Sequence, residues 1–236
     1  MFLLSKIFII YVLAAILPAL LLLVYIYNRD TVEKEPPNLL IHLLLMGVVA
    51  GLASIALEQI GTAILDSFIS IENPVYVIFL AFLVVAVVEE GTKFFLLYRK
   101  TWKNPNFNYR FDAIVYAVFV SLGFAAFENI GYVFGYGLTV APARALLAIP
   151  GHMSFAVFMG YFYGRAKLLF DYGDKEKSRQ NLWLAYLSAV FLHGFYDSCA
   201  MIGSTGSTIV FMIFIILMYI TVYRMIKNES HTDAPV

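Results

Sequence analysis

The sequence predicts an all-α fold: a polytopic membrane helix bundle of about seven transmembrane helices, with the N-terminus outside and the C-terminus cytoplasmic. Three observations predict it. The 236 residues are 61% hydrophobic and only 14% charged, with a mean hydropathy of +0.81, whereas soluble domains run near 45–50% apolar and about 25% charged. Seven apolar stretches are each long enough to cross a hydrocarbon core of about 30 Å, which needs about 20 helical residues. The loops between them alternate in charge.

The stretches are 3–27, 38–60, 74–98, 111–136, 142–168, 182–202 and 207–226. The first is too long for a signal-peptide core, and no small-x-small cleavage site precedes Asn28, so it is read as a span. The loops at 28–37, 99–110 and 165–181 carry Lys and Arg, as does the tail with Arg224 and Lys227. The loops at 61–73, 137–141 and 203–206 carry neither. The positive-inside rule then puts the charged loops and the C-terminus in the cytoplasm. One integral-membrane domain, 1–227, accounts for nearly the whole chain. The polar segment 228–236 is expected to be a disordered cytoplasmic tail. Three Gly-xxx-Gly pairs, Gly47/Gly51, Gly131/Gly135 and Gly160/Gly164, are expected to let helix backbones approach closely.

Composition also excludes. Sixteen basic and 16 acidic residues balance, and no basic patch points to nucleic acid. One cysteine, Cys199, leaves neither an intrachain disulfide framework nor a Cys-based zinc site. The lipid bilayer is the one certain neighbour; oligomeric state is left open.

The chemistry lies in polar residues where spans should have none. Glu89, Glu90 and Lys93 sit inside the third stretch, where a charged side chain costs about 2.5–3.5 kcal/mol or more unless it is paired or hydrated. Residues four apart share a helix face, so Glu89 and Lys93 can pair, while Glu90 points about 100° away and is left without a partner by that reading. Two adjacent carboxylates in a low dielectric do not both ionise readily, which suits one of them to proton transfer. Glu128, followed by Asn129, lies 17 residues into the fourth stretch, about 25 Å along it at 1.5 Å per residue. His152 follows Pro150 and Gly151, which are expected to break the fifth helix where protein or a cavity satisfies the freed backbone. His193 and Asp197 share a helix face, and a carboxylate beside an imidazole fixes its tautomer. Each also has a blander reading: an ion pair pinning two helices for Glu89 and Lys93, an outer-interface carboxylate for Glu128, a capped break for His152, an isolated hydrogen bond for His193. Depth nevertheless places all of them between the membrane midplane and its outer face, where one water-filled cavity could hold them. Glu58, Asp112 and His42 fall near span ends, where snorkelling or capping accounts for them.

These residues stand in blocks that resemble a known family. EEGTK at 89–93 resembles the EExxK motif of the PrsW intramembrane proteases. The stretch 111–134 with FEN at 127–129, RALLAIPGHMSFAVFMGYFYGRAK at 144–167 and FLHGFYD at 191–197 match three further blocks, in order, and EKEPP at 33–37 resembles the acidic-proline segment after their first span. Ala113 and Ala117 depart from the pattern, standing where related sequences often have glycine. PrsW proteins are distantly related to the type II CAAX prenyl proteases and bacterial CPBP proteins. The resemblance implies an intramembrane endopeptidase that makes the first, outer-side cut in a membrane-anchored anti-sigma factor, a single-span protein, and so leads to release of a sigma factor. It carries catalytic roles to Glu89, Glu90 and His193, and active-site membership to Glu128 and His152. Lys93, Asn129 and Asp197 support them.

The chemistry expected is hydrolysis by glutamate-activated water with histidine assistance. Ser154 and Ser198 show no partner base in the sequence. A metal-free site is the preferred reading. The metal alternative would use Glu89, Glu128, His152 and His193 around zinc, although HExxH is absent. Rival functions are a proton-coupled transporter, which also needs buried carboxylates and histidines but often has inverted repeats absent here; a non-catalytic module that sequesters a membrane peptide; and a protease of the same class acting on prenylated or bacteriocin-like peptides.

Overall fold

In the computed structural model, which describes residues 2–236 with side chains from Lys6 onward, the described residues form seven helical runs and no strand. They are α1 (Phe2–Arg29), α2 (Pro37–Phe68), α3 (76–101), α4 (Arg110–Tyr136), α5 (Leu138–Asp171), α6 (Lys175–Ile202) and α7 (Thr205–His231). Start and stop signals are local. Pro36 and Pro37 open α2, where a missing N–H costs nothing. Asp174 caps α6 by accepting from Lys177 N, Ser204 caps α7 by accepting from Ser207 N, and Gly203 ends α6 at φ 62°.

Five of these runs, α1, α2, α4, α5 and α7, are long and apolar enough to cross a membrane. The other two, α3 and α6, carry Glu89, Glu90, Lys93, His193 and Asp197. The side chains that mark a site are the ones that lower apolarity there. Outward faces of α1, α2 and α7 present Leu21, Leu52 and Ile216, as a lipid-facing sheath requires.

α4 is the central helix: every residue from Phe111 to Ala125 is buried. It packs on α5, α2 and α1. The approach to α2 is backbone on backbone, because Gly47 lies against Val120 and Phe124 while Gly123 lies against Leu44. Gly160 and Gly164 of α5 do the same against Arg110, Ala113 and Ile114, which gives Ala113 the room that a glycine there would otherwise supply. Gly131 and Gly135 differ from the packing expected of them: among the described residues, nothing lies within 4 Å of either Cβ position.

Two π-helical turns were not legible in the pattern. One, Leu80–Ala86, immediately precedes the Glu89–Glu90 pair; the other, Arg144–Ala148, precedes His152. Such turns rephase a helix and gather at functional sites. The irregularity expected at Pro150–Gly151 therefore lies one turn earlier, and Pro150 sits in the first turn of Ile149–Asp171, where proline is tolerated.

The ends that carry the basic loops lie together. Asn108 Nδ2 donates to Glu33 Oε2 at 3.0 Å, the Ser230 hydroxyl donates to the Arg29 carbonyl, and Trp102 packs on Phe170. Segment 228–236 differs from the disordered tail expected. It is helical to His231, and then Arg110 N donates to Ala234 O at 3.1 Å, Phe111 N to Asp233 Oδ1 at 2.9 Å and Val236 N to Asn108 O at 2.9 Å. The unpaired N–H groups at the start of α4 need acceptors, and this segment supplies them.

The same end buries two loop carboxylates, Asp30 and Glu35, each with one oxygen lacking a partner among the described residues. Burial pushes Asp30 up to about 6 against the pull of Lys34. Burial also pushes Glu35 up, opposed by hydrogen bonds from Tyr116 and Asp112. A folded-state acid with a raised pKa holds a proton that the unfolded chain has already released. Its contribution to stability is therefore complete below about pH 4 and is lost as pH rises through about 6 and beyond. The thermal unfolding midpoint in detergent micelles should fall from about pH 5 to about pH 8, and Glu35→Gln should flatten the fall. An equally steep fall in Glu35→Gln would remove Glu35 from this account.

Candidate active site

The third helix sets the site. Glu89, Glu90 and Lys93 follow the π turn and are all buried. The lysine side chain joins both carboxylates: Nζ lies 3.1 Å from Glu89 Oε2 and 2.8 Å from Glu90 Oε1. The reading that left Glu90 unpaired is thereby corrected, because i,i+3 neighbours meet on a helix as i,i+4 neighbours do. One oxygen of Glu90, Oε2, has no partner among the described residues.

Three other helices complete the cluster, α4 through Glu128, α5 and α6. From α5, His152 places Nδ1 3.2 Å from Lys93 Nζ and Nε2 3.1 Å from Glu128 Oε2. An ammonium only donates, so Nδ1 accepts and the proton of the neutral imidazole is on Nε2, facing Glu128. From α6, His193 places Nδ1 2.8 Å from Glu90 Oε1 and Nε2 3.3 Å from Asp197 Oδ2, with Glu89 Oε2 at 4.0 Å. The two imidazoles meet edge to face at 5.4 Å, and Phe155 stacks on His193 at 4.9 Å. All five sequence-derived catalytic candidates, Glu89, Glu90, Glu128, His152 and His193, are thus in one connected network.

A cavity of about 830 Å³ opens beside it, lined by Glu89, Glu128, His152, His193 and Asp197 among others. Glu90, Lys93 and Asn129 stand behind that wall. Asn129 is fully buried and ties α1 to the site: Nδ2 donates to Ala15 O at 2.7 Å while Oδ1 accepts from Arg144 Nε at 2.7 Å. The serines are spent on backbone: Ser154 Oγ donates to Pro150 O and Ser198 Oγ to Gly194 O, both at 2.7 Å. Neither is a nucleophile with a base.

Two cavity residues were missed. Arg144 binds Glu128 at 2.9 Å and lies over the Tyr132 ring at 3.7 Å; a cation three residues into an apolar stretch was the available signal. Glu58 also lines the cavity. It resembled an end-of-span residue, but α2 continues ten residues further to Phe68, so Glu58 is well inside its helix.

The group that could hold a metal is Glu89, Glu90, His152 and His193, with ligating atoms all within 4.8 Å of one another. It differs from the expected set in having Glu90 where Glu128 was placed, because Glu128 sits behind the His152 ring and is bound by Arg144. Two imidazoles and two carboxylates are donors that zinc accepts, and the unpartnered Glu90 oxygen is a spare ligand. The residues fit a divalent cation.

Residues 35–223 match the family described as PrsW family intramembrane metalloprotease. Among curated relatives, Protease PrsW of Clostridioides difficile (strain 630) is 33% identical over 225 residues, covering 93% of this chain and 92% of the relative. Protease PrsW of Geobacillus kaustophilus is 35% identical over 184 residues, 78% of this chain and 76% of the relative. Protease PrsW of Bacillus subtilis (strain 168) is 33% identical over 190 residues, 78% and 79% respectively. No solved structure matches the chain.

Proposed function

This chain belongs to the PrsW family of intramembrane metalloproteases, and from that premise we propose that it makes the first cut in a membrane-anchored anti-sigma factor, on the outer side, and so leads to release of a sigma factor. It is a multi-pass membrane protein and a peptide hydrolase. The observation that carries the chemistry is the buried Glu89–Glu90–His152–His193 quartet with Glu89 and both histidines at a cavity wall. Seven crossings with a cytoplasmic C-terminus are part of the proposal. They are supported by the basic loops and the C-terminal segment lying at one end of the bundle.

A divalent cation such as zinc would be held by Glu90, His152 and His193, where it would polarise the scissile carbonyl and acidify a water. The chain's own residues do the rest. Glu89 is the member of the glutamate pair that faces the cavity, so it takes the proton from water and returns it to the leaving amine. Asp197 fixes the tautomer and ring plane of His193, as Glu128 does for His152. Arg144 and Asn129 hold Glu128 in place. Phe124, Phe127, Phe155 and Phe211 line the cavity and restrict water there.

Asp197→Asn should keep the fold and lower cleavage about 10–100-fold, because the amide cannot fix the imidazole as a carboxylate does. Wild-type turnover in that variant would remove Asp197 from the site.

The reading is tested by co-expressing the chain with tagged single-span anti-sigma factors of the same genome. A truncated product that appears with wild type, and disappears with His193→Ala at matched membrane levels, is the expected result. Substrate-driven proton flux in liposomes with no cleaved peptide would overturn it in favour of transport. Cleavage confined to prenylated or bacteriocin-like peptides would keep the protease and replace the substrate.

A further inference from the structure

Lys93 Nζ lies among the side chains that could hold a metal. Its ammonium has three protons, and three acceptors surround it: Glu89 Oε2 at 3.1 Å, Glu90 Oε1 at 2.8 Å and His152 Nδ1 at 3.2 Å. All three belong to the metal-capable quartet. The Phe124 ring closes a further side, 3.9 Å from Nζ to the centroid. An ion pair of Lys93 with Glu89 alone would pin α3 without touching α5. Instead the lysine reaches across to a histidine 59 residues away, so the ammonium is coordinated by residues of two helices as a cation is.

We propose that Lys93 is an exchangeable internal cation: it holds the donor set when no metal is bound and must leave before a divalent ion can use the same lone pairs. This rests on the reading of the quartet as a metal site. Hydrogen bonds keep the three acceptors 2.8–3.2 Å from Nζ, whereas zinc draws oxygen and nitrogen to about 2.0–2.2 Å. Exchange therefore draws the two shared groups, Glu90 and His152, inward by roughly an ångström and cannot place both cations on them at once. The flexible four-carbon stem of lysine makes such an exit feasible where a planar guanidinium would be harder to free. Glu89, His152 and His193 at the cavity wall give an incoming ion its first contacts, and the Glu90 oxygen left without a partner among the described residues is a further ligand behind them. Glu58, which lines the adjoining cavity and makes no hydrogen bond or ion pair among the described residues, gives that cavity a carboxylate to which a displaced ammonium can turn.

The consequence is that the lysine weakens metal binding rather than supporting it. Full-length protein in detergent micelles would be titrated with Zn2+ alone by equilibrium dialysis, and with Co2+ by its visible absorption. Lys93→Met, of similar volume and without charge, should bind Zn2+ at least tenfold more tightly than wild type. Equal or weaker binding by Lys93→Met, with wild type binding normally, would overturn the exchange and leave Lys93 as a positioning group. Absence of Zn2+ binding by both proteins would overturn the metal reading together with the exchange, and the cleavage assay would then judge proteolysis separately. Should Lys93→Met fail to insert, residue-resolved labelling of wild type with a small amine reagent decides: Zn2+ should raise modification at Lys93, and unchanged protection in the metal-loaded protein would overturn the proposal.

Discussion

Glu89→Gln should reduce cleavage by about 10²–10⁴-fold, the range of a lost general base, while the protein still inserts and loses less thermal stability than Glu90→Gln, because Lys93 keeps its nearer partner Glu90 at 2.8 Å. The amide preserves shape and keeps an oxygen toward Lys93, but it cannot take a proton from water. Glu90→Gln should differ in kind. Glu90 is fully buried between Lys93 at 2.8 Å and His193 at 2.8 Å. Removing one partner of a buried charge pair costs about 3–5 kcal/mol, so this variant should lose both activity and thermal stability. The pair of outcomes separates the two adjacent glutamates: one acts on substrate, the other holds the site together. The checks are cleavage of a tagged substrate and thermal unfolding in the same detergent. A fully active Glu89→Gln would end its role as base, and an active Glu90→Gln with an unchanged midpoint would end the holding role.

Gly123→Val should be the most damaging substitution away from the chemistry. A Cβ at Gly123 would lie 2.1 Å from the Leu44 carbonyl oxygen, and a Cβ at Gly47 would lie 2.0 Å from the Val120 oxygen. The obstacle in both cases is backbone, which cannot rotate away, so α2 and α4 would have to separate. Overpacking costs about 1–3 kcal/mol where side chains can give, and more is expected here. The separation would also break the Ser54–Thr92 hydrogen bond at 2.9 Å, which ties α2 to the helix bearing Glu89 and Glu90. Gly123→Val should therefore lower the unfolding midpoint sharply and abolish cleavage. Gly135→Ala, with nothing within 4 Å, should leave both intact or raise stability slightly, since alanine is the better helix former by up to about 1 kcal/mol. A wild-type midpoint for Gly123→Val would refute the interlock.

Both predictions use residues that the sequence singles out in different degrees. Gly47 is visible as half of a small-residue pair, but nothing local distinguishes it from Gly131, whose Cβ position has no described atom within 4 Å. Glu89 with Lys93, and His193 with Asp197, are legible because a helix places residues four apart on one face, whatever surrounds it. Glu58 and Arg144 were not legible, since the depth of a residue depends on where its helix ends, and α2 runs past the apolar stretch that suggested its length.

The sequence by itself determined the class of the molecule and the inventory of its chemistry. Long apolar runs can satisfy their backbone in lipid only as helices, and charged residues within them have a reason to be there. Only the tertiary structure decided which of those residues meet. It chose Glu90 over Glu128 for the quartet, brought Lys93 to His152, and left Gly131 and Gly135 open. The physical reason is rotational phase. Periodicity specifies neighbours along one helix, whereas contacts between helices depend on how each is turned about its axis and how closely it packs. In α3 and α5 that phase is reset by π turns directly before the site residues, and around α4 the closeness is set by glycines whose partners lie on other helices.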